Sequence, residues 1–234
     1  MNTRNFKIGL LLLTCFILIC GSAIAQNKRE KVLYPYLTYL PKKYSAESKQ
    51  PYPVLIYLHG GSLRGKDLSK LKTYGPPQEI AKGREFDLII IAPQCPENKY
   101  WSSNNWFEPL YANIIKKYNI DTNRVYLSGI SIGGYGTWIT AMDYPNRIAA
   151  IAPLCGGCND SDTVKIANLK SMPILTYHGT ADDMIPISET QRIVDKLKPI
   201  NKQLKFVKIE GEGHGIQYLY QDKVIYNWLL QYSK

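Results

Sequence analysis

The sequence predicts an α/β fold layered around one mostly parallel sheet, and three observations carry that prediction. Seven short apolar runs recur along the chain, and most are continuous rather than alternating, as strands covered on both faces are. Helical patterns lie between them, so strand alternates with helix. Turn-forming residues mark the joins.

The elements follow in order. Tyr36–Leu40 is the first strand. Pro51-Tyr52-Pro53 turns the chain into the second, Val54–Leu58. A helical pattern covers Leu68–Lys82, with the turn signal Gly75-Pro76-Pro77 inside it. Leu88–Ala92 is a strand and Leu110–Tyr118 a helix, then Val125–Leu127 a strand and Gly133–Tyr144 a helix. Strands Ala149–Ala152 and Ile174–Tyr177 precede helix Ser188–Leu197, and strand Leu204–Ile209 precedes helix Gln217–Leu230. In sheets of this kind active groups gather at the carboxyl ends of strands. A motif that carries chemistry should therefore directly follow a strand.

The chain has 234 residues, of which 45% are hydrophobic and 21% charged, an ordinary globular composition that excludes a disordered, collagen-like or coiled-coil protein. Its first 25 residues read as a secretory signal: Arg4 and Lys7 make a basic start, Ile8–Cys20 is apolar, and Ala23-Ile24-Ala25 is a small-x-small cleavage pattern before Gln26. The apolar run is too short to span a bilayer. Bulky Ile19 argues against lipidation at Cys20. Residues 26–234 are then expected to form a single catalytic domain, exported to the periplasm or outside the cell. Without Arg4 and Lys7 the balance is 27 basic against 19 acidic residues, or +8. No dense Lys/Arg block accompanies it, so neither nucleic-acid binding nor a membrane span is expected. A monomer is the default expectation.

Removing the signal takes Cys15 and Cys20 with it and leaves Cys95, Cys155 and Cys158. Three cysteines cannot form a complete intrachain framework, so one bridge and one free thiol are expected in an oxidising compartment. Cys155-Gly156-Gly157-Cys158 has redox spacing but follows a late strand, so it reads as a loop disulfide, or as one cysteine paired with Cys95, rather than as a thioredoxin motif.

The chemistry centres on Gly129-Ile130-Ser131-Ile132-Gly133. This Gly-x-Ser-x-Gly follows the Val125–Leu127 strand and opens the Gly133–Tyr144 helix, which is the setting of a nucleophile elbow. A serine nucleophile needs a base, and the base an orienting acid. Of the three histidines, His59 precedes the serine and His178 ends a strand just before the candidate acids. His214, in a glycine-rich loop after the last strand, is the one with room for serine, acid and histidine in that order. Asp182 and Asp183, after the Ile174–Tyr177 strand, are both candidates for the acid. The oxyanion needs two backbone donors. Ile132 follows the nucleophile, and Gly61 sits in His59-Gly60-Gly61 after Val54–Leu58. His59 reads as a prop for that loop.

These segments, together with Tyr39-Leu40-Pro41, Ala92-Pro93-Gln94-Cys95-Pro96, His178-Gly179-x-x-Asp182-x-x-Ile185-Pro186 and Gly213-His214, resemble the α/β-hydrolase superfamily over nearly the whole mature chain. Within it the chain is similar to small exported esterases of the feruloyl/acetylxylan esterase and polyhydroxybutyrate depolymerase type. That resemblance implies a three-layer α/β-hydrolase sandwich, a carboxylic ester as substrate, and Asp182 rather than Asp183 as the acid. Two segments depart from the family: Ser62-Leu63-Arg64-Gly65 stands where Gly-Glu-Arg-Gly is common, and Gly215-Ile216-Gln217 follows the histidine.

Competing motifs fall away. Gly60-x-x-x-x-Gly65-Lys66 nearly matches a phosphate-binding loop, but Asp67 replaces the metal-binding hydroxyl. No zinc spacing and no dinucleotide fingerprint occur, so neither metal nor cofactor is expected. Tyr100–Phe107 is aromatic and amide-rich. Its Trp101 and Trp106 are candidates for substrate contact, with a packed helix lead-in as the alternative. The expected function is ester hydrolysis on a small-molecule or polysaccharide substrate through Ser131, His214 and Asp182. The alternatives are a serine peptidase and a catalytically silent carbohydrate- or partner-binding protein.

Overall fold

A computed structural model describes residues 29–234. The signal segment, its cleavage site and the cysteines within it lie outside the described residues. Seven strands form one sheet: β1 (Tyr36–Tyr39), β2 (Tyr52–Leu58), β3 (Ile89–Pro93), β4 (Ile120–Ile130), β5 (Ala150–Leu154), β6 (Ile174–Gly179) and β7 (Leu204–Ile209). Their order is β1-β3-β2-β4-β5-β6-β7. Only β1 runs antiparallel, pairing Tyr36 with Pro93 and Thr38 with Ile91.

Burial on both faces explains the continuous apolar runs. In β2 the side chains of Val54, Ile56 and Leu58 enter one core, and those of Leu55 and Tyr57 enter the other. In β3, Ile89 and Ile91 oppose Ile90 and Ala92 in the same way. Helices α2 (Phe107–Lys117), α3 (Ile132–Asp143) and α4 (Ser188–Leu197) cover the first face, through residues such as Leu110, Trp138 and Ile193. Helices α1 (Pro76–Ala81) and α5 (Val224–Leu229) lie with Leu71 and Tyr220 against the second. This is the three-layer arrangement anticipated from the sequence.

Two anticipated helices are broken. Leu68–Lys82 is a 3-10 helix, Leu68–Thr73, followed by α1. Gly75 between them has φ +73°, and Pro76-Pro77 can only start a helix. Gln217–Leu230 likewise divides into a 3-10 helix, Ile216–Gln221, and α5. Strand β4 is longer than expected: its first residues, among them exposed Thr122 and Asn123, run ahead of the buried Val125–Ile130 stretch.

The expected disulfide is not formed. Cys95, Cys155 and Cys158 are buried free thiols. The sheet separates Cys155 from the other two: Cys155 points into one core, while Cys158 and Cys95 pack in the other. Edge strand β7 departs from the continuous pattern, because Lys205, Val207 and Lys208 are exposed between half-buried Leu204, Phe206 and Ile209. Among the described residues, no helix is long and apolar enough to cross a membrane.

Candidate active site

The chain passes from β2 outward to β3, then returns beyond β2 to β4. The order of strands therefore reverses between the carboxyl ends of β2 and β4, where a crevice must open. Leu58 pairs with Gly129 at that point, so the two segments that leave the sheet there are His59-Gly60-Gly61 and Ser131.

Ser131 holds φ 61° and ψ −124°, a conformation that L-residues seldom adopt. Crowding around the turn enforces it. A β-carbon on Gly133 would stand 2.0 Å from the Leu58 carbonyl oxygen, so only glycine lets α3 start this close to β2. The Ser131 N–H donates to the Leu154 carbonyl at 3.0 Å, anchoring the elbow to β5.

Gly61 opens a 3-10 helix, Gly61–Leu63, and Ile132 opens α3. The first N–H groups of a helix have no acceptor within it. Both residues line one cleft of about 770 Å³ together with Ser131, Met184, Ile185 and His214. The loop that carries Gly61 is braced from both sides. The Gly60 N–H donates to the Tyr74 hydroxyl at 2.9 Å. His59, fully buried, accepts the Cys95 N–H at Nε2 (3.0 Å), which places its proton on Nδ1, 2.7 Å from the Gly60 carbonyl. Burial pushes the His59 imidazole down to about 4, which keeps it neutral.

His214 sits where the loop after β7 crosses the end of β6. Its Nδ1 lies 2.8 Å from Oδ2 of Asp182. An ionised carboxylate only accepts, so the His214 proton belongs on Nδ1 and Nε2 is left basic. The Asp182 side chain is fully buried, and its Oδ1 accepts the N–H groups of Met184 (3.0 Å) and Ile185 (2.9 Å). Burial opposes its ionisation, but the Ile185 N–H, His214 and the Met184 N–H together outweigh that and hold its carboxyl below the usual carboxylate range. Asp183 is exposed. The structure thus brings Asp182, and not its neighbour, to His214, and puts His214 in the cleft with Ser131.

The aromatic loop divides. Trp101 lines a second cavity of about 260 Å³, with Tyr100, Tyr135, Gly136, Ile139 and Ile132. Ile132 belongs to both cavities. Trp106 reaches neither; it is core, donating its indole N–H to the Trp101 carbonyl at 2.8 Å and packing against Trp101 and Phe107. Two neighbours, Tyr74 and Arg64, were given no role from the sequence. Tyr74 carries no motif, and only the fold brings it to Gly60. Arg64 enters the cleft with its guanidinium 5.3 Å from the Tyr100 ring centre and its Nε–H on the Gly61 carbonyl at 3.1 Å. His178, set aside as a base, lies behind Asp182. Ligand atoms of Cys155, Asp182 and His214 all fall within 4.8 Å of one another, and the carboxylate and imidazole of that group already engage each other.

Comparison with known proteins finds esterases among the relatives of this chain. Residues 78–225 match the model of the phospholipase/carboxylesterase family. The chain is 40% identical over 145 residues to a bifunctional acetylxylan esterase/xylanase of Neocallimastix patriciarum, covering 59% of this chain and 20% of that protein. It is 25% identical over 185 residues to feruloyl esterase D of Neurospora crassa, covering 69% and 57% respectively. The chain thus spans between 20% and 57% of the length of these curated relatives. Among solved structures, a thermostable esterase superposes with a TM-score of 0.73 at 27% identity, over 86% of this chain and 59% of the other.

Proposed function

The chain belongs to the phospholipase/carboxylesterase family, and on that footing we propose that it is an exported serine esterase acting on acyl groups borne by carbohydrate. The observation that carries this reading is a strained elbow serine sharing a cleft with a histidine whose far nitrogen is held 2.8 Å from a buried aspartate. Nucleophilic acyl transfer uses all three features at once.

In this mechanism His214 Nε2 takes the Ser131 proton as Oγ bonds to the ester carbonyl carbon. The carbonyl electrons move to oxygen, and the N–H groups of Gly61 and Ile132 stabilise that oxyanion. His214 then gives its proton to the departing alkoxide as the carbon–oxygen bond breaks, leaving acyl-Ser131 and free alcohol. Water enters, loses a proton to His214 and attacks the acyl carbon, and Ser131 leaves with that proton restored. Asp182 stays ionised throughout and stabilises the imidazolium. Each step conserves protons within the cleft.

Trp101 and the apolar cavity beyond Ile132 would take the less polar end of the ester, and Trp106 would hold Trp101 in place. The acetylxylan esterase and feruloyl esterase relatives support a carbohydrate ester as substrate. Hydrolysis of p-nitrophenyl esters of increasing chain length, methyl ferulate and acetylated xylan tests the reading, with fluorophosphonate labelling of Ser131 alongside. Acetyl or feruloyl release with a Ser131 adduct is expected. No adduct on folded protein would favour a silent binding protein, and cleavage of peptides in preference to esters a peptidase. Removal of residues 1–25 belongs to the same proposal; N-terminal sequencing of exported protein should begin at Gln26.

A further inference from the structure

His178 is buried beyond the reach of solvent, yet every polar atom of its ring has a neighbour. Nε2 stands 2.8 Å from the Ile185 carbonyl oxygen and 3.2 Å from Oδ2 of Asp182. Both neighbours are acceptors, so Nε2 carries the proton. Nδ1 stands 2.7 Å from the Thr190 hydroxyl oxygen, which itself lies 2.5 Å from the Gly156 carbonyl, and the two contacts together fix the plane of the ring. The closest contact of the N–H is Ile185, and Ile185 is also the residue whose own N–H binds Asp182 Oδ1 at 2.9 Å. One histidine therefore closes the turn around the carboxylate at Ile185 while setting the positive edge of an N–H beside the oxygen that faces His214.

We propose that His178 is a positioning residue for the Asp182 carboxylate: it clamps the 182–185 turn through Ile185 and shares Oδ2 with His214, so that the acid serves two imidazoles. The inference rests on the Ser131–His214–Asp182 reading of the cleft. Burial lowers the basicity of His178 and keeps it neutral, which suits a fixed donor and not a second base. The sharing also tempers the field on His214. A carboxylate that gives part of its charge to His178 draws the His214 Nδ1 proton less strongly. The titratable groups packed against Asp182 are His178 from β6, the Cys155 thiol from the end of β5 and His214 from the loop after β7, while Arg64 stands in the cleft with His214.

The test uses the full chain with His178→Met, which keeps bulk and removes the N–H, and His178→Gln, which returns an amide N–H near Nε2. Against p-nitrophenyl acetate, His178→Met should lower kcat about tenfold with KM little changed. Its kcat/KM should fall in step with kcat, because the unclamped carboxylate no longer holds His214 toward Ser131. His178→Gln should recover most of both. Proton NMR of the His214 Nδ1–H reads the same effect without turnover: its resonance should move downfield in His178→Met and return in His178→Gln. An unmoved kcat and an unmoved resonance in folded His178→Met would overturn the proposal. If that variant does not fold, Thr190→Val, which frees the ring plane, must shift both readouts in the same direction, and its failure to do so overturns the proposal equally. If the unaltered protein hydrolyses no ester, the functional reading falls, and the resonance still decides the role of His178.

Discussion

The His59 carbonyl accepts the Trp101 indole N–H at 3.2 Å, and the two rings meet edge to face with centroids 5.1 Å apart. The aromatic loop thereby braces the same residue that holds the Gly60-Gly61 turn. His59 must be neutral to accept the Cys95 N–H. Its folded value near 4 lies below the ordinary 6.5, so the unfolded chain takes the proton first. Stability from this group is full above about pH 6.5 and is lost as pH falls toward 4, by about 3 kcal/mol at most. Urea unfolding at pH 7 and pH 4.5 should show that loss, and His59→Gln should show a shallower pH dependence. Equal dependence in both proteins would remove the burial argument.

Asp182 and Asp183 are adjacent in sequence but differ in surroundings, one buried against His214 and one in solvent. Asp182→Asn should cut turnover on an activated ester by about 10³–10⁴, since an amide favours the wrong imidazole tautomer. Asp183→Asn should cost less than about tenfold, as for an ordinary exposed loop position. A larger loss in Asp183→Asn would move the acid by one residue.

Ser131 stores backbone strain at φ 61°. Ser131→Ala should lose about 10⁴–10⁶ in turnover and keep its fold. Ser131→Gly should be equally inactive but more stable, by about 1 kcal/mol, because glycine adopts this conformation freely. Paired activity assays and thermal melts check both, and a glycine variant that melts lower would show that the elbow is not strained.

Cys95, Cys155 and Cys158 are unbridged and buried, and burial pushes the Cys158 thiol up to about 11 and Cys95 to about 12. Dithiothreitol should leave the melting temperature unchanged. Ellman's reagent should find these thiols silent in the folded protein and all three reactive after denaturation. Two reactive thiols fewer would reveal a disulfide.

The layers and the cleft were legible in the sequence because their signals are local. Unbroken apolar runs mark strands covered twice, and Gly129-Ile130-Ser131-Ile132-Gly133 marks the elbow because both glycines face the Leu58 backbone of the neighbouring strand at distances a β-carbon would not allow. The oxyanion loop was legible as a glycine pair after a strand. What escaped depends on contacts distant in sequence. Tyr74 reaches Gly60 across 14 residues, and Trp106 turned inward because the β-bridge between Lys31 and Asn105 ties its loop down. The helix breaks were signalled by Gly75-Pro76-Pro77 but outvoted by periodicity. Cysteine number suggested a bridge, and only the fold shows that the sheet parts Cys155 from Cys95 and Cys158.

Strand β7 leaves one side of the sheet unpaired, and that side is where another chain could add a strand. Growth by such addition needs an edge that is flat, apolar and uncharged. Here Lys205 and Lys208 stand exposed on it, and the Lys208 ammonium lies 5.5 Å from the Phe206 ring centre. An incoming copy would bring its own lysines against these, like charge facing like charge. Part of the positive surplus noted in the composition thus stands on an open edge, where it opposes self-templated strand addition.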